Sequence, residues 1–178
     1  MNRLVPIILS IVLSASPALA NPANFSRGPI ITEAGGVAKV AADVPLPAGK
    51  DWKMDFDVPT ATPGKLNPRI DAAARFINML AASGVPMANI HAAIVVRANG
   101  LLDLLDAQNY GRETDGQVNP NTALLLQLIA KGVPVYVCGQ SAELLDIKKS
   151  EMIPGVKMAL SAMTVHADLQ GRGYVIDP

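Results

Sequence analysis

Between Trp52 and Val58 apolar and polar residues alternate, with Trp52, Met54, Phe56 and Val58 at every second position. A period of two is that of a strand, so this stretch predicts a half-buried strand with Lys53, Asp55 and Asp57 on its other side. A Pro/Gly turn follows over residues 60–65. The period then changes to that of a helix, through Ile70, Ala73, Ala74, Ile77, Leu80 and Ala81. Asn67 is placed to cap this helix, Pro68 fits its first turn, and Gly84 ends it. From Asn89 to Arg97 the pattern becomes an almost unbroken apolar run, which suits a strand covered on both faces.

The same grammar recurs downstream. Asn119-Pro120 opens a helical pattern through Leu124, Leu125, Leu128 and Ile129, closed by Gly132, and Val135 to Cys138 is another apolar run. Ser83-Gly84-Val85-Pro86 and Lys131-Gly132-Val133-Pro134 are echoes of one another at the two helix-to-strand crossings. Between the repeats, 101–107 predicts a short helix and 109–117 a polar loop. After Cys138 the pattern gives a short helix over 141–146, a strand over 156–160, a helix over 161–170 and a last strand over 173–176. Five strands alternating with helices predict a three-layer α/β/α sandwich around a largely parallel sheet.

The two ends of the chain read differently. Residues 1–20 hold one positive charge at Arg3, an apolar stretch from Leu4 to Leu13, and the small-residue ending Ser16-Pro17-Ala18-Leu19-Ala20. This is the pattern of a secretory signal peptide cut after Ala20, and an apolar run of about ten residues is too short for a bilayer span. The expectation is a periplasmic or secreted protein with no membrane contact after cleavage. Residues 21–50 are rich in Gly, Pro and Ala without a period. They predict an extended arm lying on the body or on a neighbouring subunit, ahead of a folded body over 51–178.

Composition narrows the function classes. The 178 residues include 15 Lys+Arg and 15 Asp+Glu, so no concentrated positive field exists for nucleic acid or a charged membrane. Half of the residues are hydrophobic and the mean hydropathy is +0.29, which excludes a disordered chain. A single cysteine excludes a disulfide scaffold and a Cys-rich zinc site. There is no G-x-G-x-x-G, no G-x-x-x-x-G-K-[ST] and no G-x-S-x-G, so neither a nucleotide cofactor nor serine hydrolysis is expected.

Cys138 is the leading candidate for chemistry. It ends an apolar strand, and Gly139-Gln140-Ser141 leads from it into a helix. Open α/β sheets bind ligands at the carboxyl ends of their strands, and a thiol at a helix start is pushed toward thiolate. The opposing reading is a buried cysteine packed as a small hydrophobe. Arg97 and Asn99, in Arg97-Ala98-Asn99-Gly100, are expected at the same sheet edge, where Arg97 would hold an anion or be a solvated loop residue. His91 and His166 have no partner at metal-ligand spacing, so structural or surface roles are expected and no metal site. Asp103 and Asp106 are expected on a solvated face.

The segment Val135-Tyr136-Val137-Cys138-Gly139-Gln140-Ser141, with Asn119-Pro120-Asn121 before it and Ile153-Pro154-Gly155-Val156 after it, resembles the DsrE/DsrF-like family. So do the helix over 67–84 with the strand that follows it and the closing residues 169–178. The likeness spans residues 50–178. It implies a Rossmann-like fold, oligomers and, in some members, sulfur transfer through a cysteine that stands where Cys138 stands here. Many relatives carry His-Gly where this chain has Arg97-Ala98. The expectation is a sulfur carrier with little or no independent turnover, working as a homo-oligomer with a sulfane-sulfur donor and acceptor. The alternative is a non-catalytic oligomeric binding or assembly module with a structural cysteine.

Overall fold

The computed structural model describes residues 22–177. The signal-peptide segment over 1–20 lies outside them, and no helix among the described residues is long and apolar enough to cross a membrane.

The arm begins with two short strands, β1 (Phe25–Ser26) and β2 (Val37–Ala38), paired antiparallel. It lies on the body. Ile31 is fully buried there, and the buried Asn78 side chain accepts from the amides of Ile30 and Ile31 and donates to the carbonyls of Ile31 and Gly35.

The body follows the alternation of the sequence. β3 (Trp52–Val58) leads into α1 (Pro68–Ala82), which Asn67 caps by accepting from the Arg69 amide at 2.9 Å. β4 (Ile90–Val96) follows, then a 3-10 turn over Ala98–Leu104 and α2 (Ala107–Glu113). The polar loop expected over 109–117 is therefore mostly helix, started by Asp106, whose carboxylate accepts from the Asn109 amide at 2.8 Å. Next come α3 (Thr122–Ala130), β5 (Val135–Cys138), α4 (Gly139–Leu144) and β6 (Lys157–Ala159). α5 (Ala162–Gly171) and β7 (Val175–Asp177) close the chain.

The five strands β3 to β7 form one wholly parallel sheet in the order β6-β5-β4-β3-β7. The three-layer α/β fold is thus as the pattern predicts. From β3 to β6 the chain steps across the sheet in one direction, with α1 and α3 over one face. It then returns the whole width to reach β7. Right-handed crossovers require a return in the opposite direction to run over the opposite face. That places α5 there by itself.

The two faces are therefore packed very unequally. Under α1 and α3 lies the main core, including Ile77, Leu80, Ile94, Leu125, Leu128, Val135 and Val137, with Ala142 of α4 joined to it. Each such aliphatic side chain contributes about 1.5–3 kcal/mol on burial. The face under α5 has only a small cluster of Ala93, Val95, Cys138, Ala162, Val165 and Leu169. Where the main core is greasy, this face of β3 is acidic. Asp55 is fully buried and Asp57 partly so.

Candidate functional site

Connections leave the sheet toward opposite faces at two neighbouring strand ends. After β5 the chain turns into α4, packed with the main core, and after β6 it turns into α5 on the other face. A crevice at such a divergence is where open α/β sheets bind ligands. Cys138 is the last residue of β5 and stands at this divergence.

The start of α4 packs closely on the end of β6 for a reason readable in the backbone. A Cβ on Gly139 would stand 2.5 Å from the Ala159 carbonyl oxygen and 3.3 Å from that of Leu160. Only glycine lets the first turn of α4 press against the end of β6. Gln140 is exposed beside it and donates from Nε2 to the Leu160 carbonyl at 3.4 Å.

Cys138 itself is buried, with 6% of its surface exposed. Burial pushes its thiol up. Hydrogen bonding opposes this, from the Ser141 hydroxyl and from the amides of Ala162, Ser141 and Gln140. The net result is a thiol held below its ordinary range. The donors come from two helices: Gln140 and Ser141 from α4, Ala162 from the first residue of α5. Ser161 fixes that end of α5, its hydroxyl accepting from the Thr164 amide at 3.1 Å.

Ser141 is aimed at the sulfur by a third segment. Its oxygen accepts from the Ala98 amide at 2.9 Å. Ala98 follows β4 with φ of 47°, a left-handed conformation that alanine rarely adopts. With a lone pair engaged by that amide, the hydroxyl proton is free to point at Cys138.

Arg97 does not stand as a free anion site. Its guanidinium grips Asp57, Nε at 2.9 Å from Oδ1 and Nη2 at 2.7 Å from Oδ2, while its charge also reaches Cys138. The hydrogen bonds to Asp57, more than its charge, hold the guanidinium above its ordinary range. Asn99 is exposed on the same turn, and its side chain bonds to no described residue. Of the expected site residues the fold thus brings Cys138, Gly139, Gln140 and Ser141 together, adds Arg97 at the rim, and leaves Asn99 outside.

The structure departs from the solvated face expected for Asp103 and Asp106, and it decides between the structural and surface roles expected for the two histidines. Asp103 is fully buried rather than solvated, accepting from Asn67 Nδ2 at 2.6 Å and Asn121 Nδ2 at 3.0 Å, and Asp106 is a helix cap. Asp55 lies 2.6 Å from His166 Nδ1, so His166 is part of a buried charge row and not a surface residue. His91, by contrast, is near the surface, 3.8 Å from Asp51. Among the described residues no group of three or more His, Cys, Asp and Glu side chains is arranged to hold a metal.

The family model for DsrE/DsrF-like proteins matches residues 54–178. The chain belongs to the DsrE/DsrF-like family. Two solved structures share the fold of this DsrE/DsrF-like chain. One is a protein of unknown function from Methanobacterium thermoautotrophicum, with 15% identity and a TM-score of 0.53, covering 71% of this chain and 100% of its own. The other is the ychN protein from E. coli, with 15% identity and a TM-score of 0.51, covering 70% of this chain and 99% of its own. None of the curated proteins compared matches the sequence.

Proposed function

We propose that this DsrE/DsrF-like protein is an exported sulfur carrier whose carrying atom is Cys138 Sγ. What supports this most is the place of Cys138 at the start of α4 and beside the start of α5, where the Ser141 hydroxyl and the helix-start amides favour an anionic sulfur. Such groups stabilise an anionic sulfur, whereas a packed hydrophobe gains nothing from them.

The chemistry is an exchange without net oxidation. The Cys138 thiolate attacks the outer sulfur of a persulfide donor, R–S–SH. A new S–S bond forms, the donor's S–S bond breaks, and R–S⁻ leaves with the electron pair, giving Cys138–S–SH. Loss of the proton leaves a persulfide anion in the same donor nest. An acceptor thiolate then attacks the outer sulfur and returns the Cys138 thiolate. Turnover belongs to the partners, so the protein acts as a carrier and not as an independent enzyme.

Self-association fits the same reading. The face under α5 is thinly covered, and Leu160 and Met163 are exposed near it. A homo-oligomer buries such surface. The competing reading, a binding or assembly module with a packed cysteine, is favoured by the burial of Cys138 alone.

The test is intact-mass analysis of the native protein after exposure to polysulfide. A gain of about 32 Da on Cys138, the mass of one sulfur, with iodoacetamide labelling before unfolding, is expected. A thiol inert to both until denatured overturns the carrier reading. Export is checked separately: the protein recovered from the periplasm of a Gram-negative host should begin at Asn21, and retention of the intact chain in the cytoplasm overturns that part.

A further inference from the structure

β3 presents Asp55 and Asp57 to the face under α5, and one residue of α5 reaches both. His166 Nδ1 lies 2.6 Å from Asp55 Oδ2, and Nε2 lies 3.5 Å from Asp57 Oδ1. Asp57 is in turn gripped by both arms of Arg97. The result is a row of carboxylate, imidazole, carboxylate and guanidinium, whose last member stands beside Cys138. Nothing in the packing requires it. An aliphatic residue at 55 would fill the same place without desolvation, and Asp55 Oδ1 has no hydrogen-bond partner among the described residues.

We propose that His166 is a positioning residue for Cys138, acting through Asp57 and Arg97. With the ring protonated, Asp57 is shared between imidazolium and guanidinium, and Arg97 lends more of its field to an anionic sulfur. With the ring neutral, Asp57 screens Arg97 alone. The row therefore couples the charge on this ring to the field that Arg97 exerts at the sulfur. This rests on the reading of Cys138 as a reactive carrier.

The other groups on this face are already engaged. Lys157 stands over the Tyr136 ring and Arg172 over that of Tyr174, while Asp168 pairs with Arg172. Lys53 donates to the Arg172 carbonyl, and His91 lies at the opposite strand end near Asp51. Asp55, whose carboxyl burial pushes up and the His166 bond opposes, faces the same ring.

The test is the rate of iodoacetamide labelling of native Cys138 from pH 5 to 9. At pH 6, H166Q should react about three- to tenfold more slowly than wild type, because less of the thiol is ionised, and the two should converge above pH 8. In an R97Q background the His166 substitution should change nothing further. Superimposable profiles for H166Q and wild type, or an undiminished effect in R97Q, overturn the proposal while the carrier reading stands. No native labelling of the wild type at any pH overturns the carrier reading itself.

A second measurement avoids variants that fail to fold. Two wild-type adducts of similar size, Cys138 carboxymethylated and Cys138 carboxamidomethylated, differ by one negative charge. Linkage is reciprocal, so the His166 ring signal, followed by NMR, should titrate at higher pH in the carboxymethyl adduct. Identical titrations overturn the proposal.

Discussion

The Ala98 amide donates to Ser141 Oγ at 2.9 Å, tying the end of β4 to the first turn of α4 directly beside Cys138. This bond engages one lone pair of the hydroxyl and leaves its proton for the neighbouring sulfur, whose anionic form Ser141 favours.

S141A should therefore make the Cys138 thiol less acidic without disturbing the fold, because it removes a donor to the charged form. Labelling of the native thiol at pH 7 should slow by about three- to tenfold, because less of the thiol is then ionised. An unchanged labelling rate would show that the amides alone hold the thiolate.

G139A tests the packing of α4 on β6 mechanically. The added Cβ would meet the Ala159 carbonyl at 2.5 Å, and a backbone oxygen cannot swing aside as a side chain does. The expected loss is roughly 1–3 kcal/mol of stability, read as a lower urea midpoint with an unchanged slope. A midpoint equal to wild type would mean that β5 and β6 separate freely at this end.

Much of this arrangement can be read along the chain, and what escapes does so for physical reasons. The β3–α1–β4 and α3–β5 units are local, each set by its own period, cap and terminal glycine. Cys138 is visible at a strand end because that position is also local. Asp55 and Asp57 are different: alternation in β3 marks them as the open side, and only the return of the chain through α5, more than 100 residues later, lays His166 over them. The 97–117 region is equally non-local. Its turn is held by Asn119 Nδ2, which donates to the carbonyls of Asp103 and Leu105, and by Asn67 and Asn121 on Asp103.

The arm gives a third test. Asn78 satisfies the amides of Ile30 and Ile31 and two arm carbonyls from a fully buried position. N78A strands those groups, at a cost of roughly 2–4 kcal/mol. Limited proteolysis should then cut within residues 27–50 well before the body, and equal resistance of mutant and wild type would show that Ile31 packing, with Gln127 on the Thr32 and Glu33 amides and Asp71 on the Gly35 amide, holds the arm without Asn78.

Asp103 predicts how stability depends on pH. Both of its oxygens accept amide protons, from Asn67 and Asn121, yet burial dominates and raises the carboxyl from 3.8 to about 6, opposed by the Asn67 bond. The sign follows from comparing the two states. An acid whose folded pKa is raised keeps its proton more readily in the fold, so its contribution is fully present below about pH 4 and is lost as pH rises through 6. The whole contribution is about 3 kcal/mol. D103N removes the titration but sets an amide N–H₂ against one of the donor amides, so it should be less stable than wild type at every pH. Because other carboxylates titrate in both proteins, the informative quantity is the stability difference between wild type and D103N from urea unfolding. That difference should be about 2 kcal/mol larger at pH 4 than at pH 7. A difference independent of pH would mean that Asp103 stays ionised throughout, with its two amide bonds outweighing its burial.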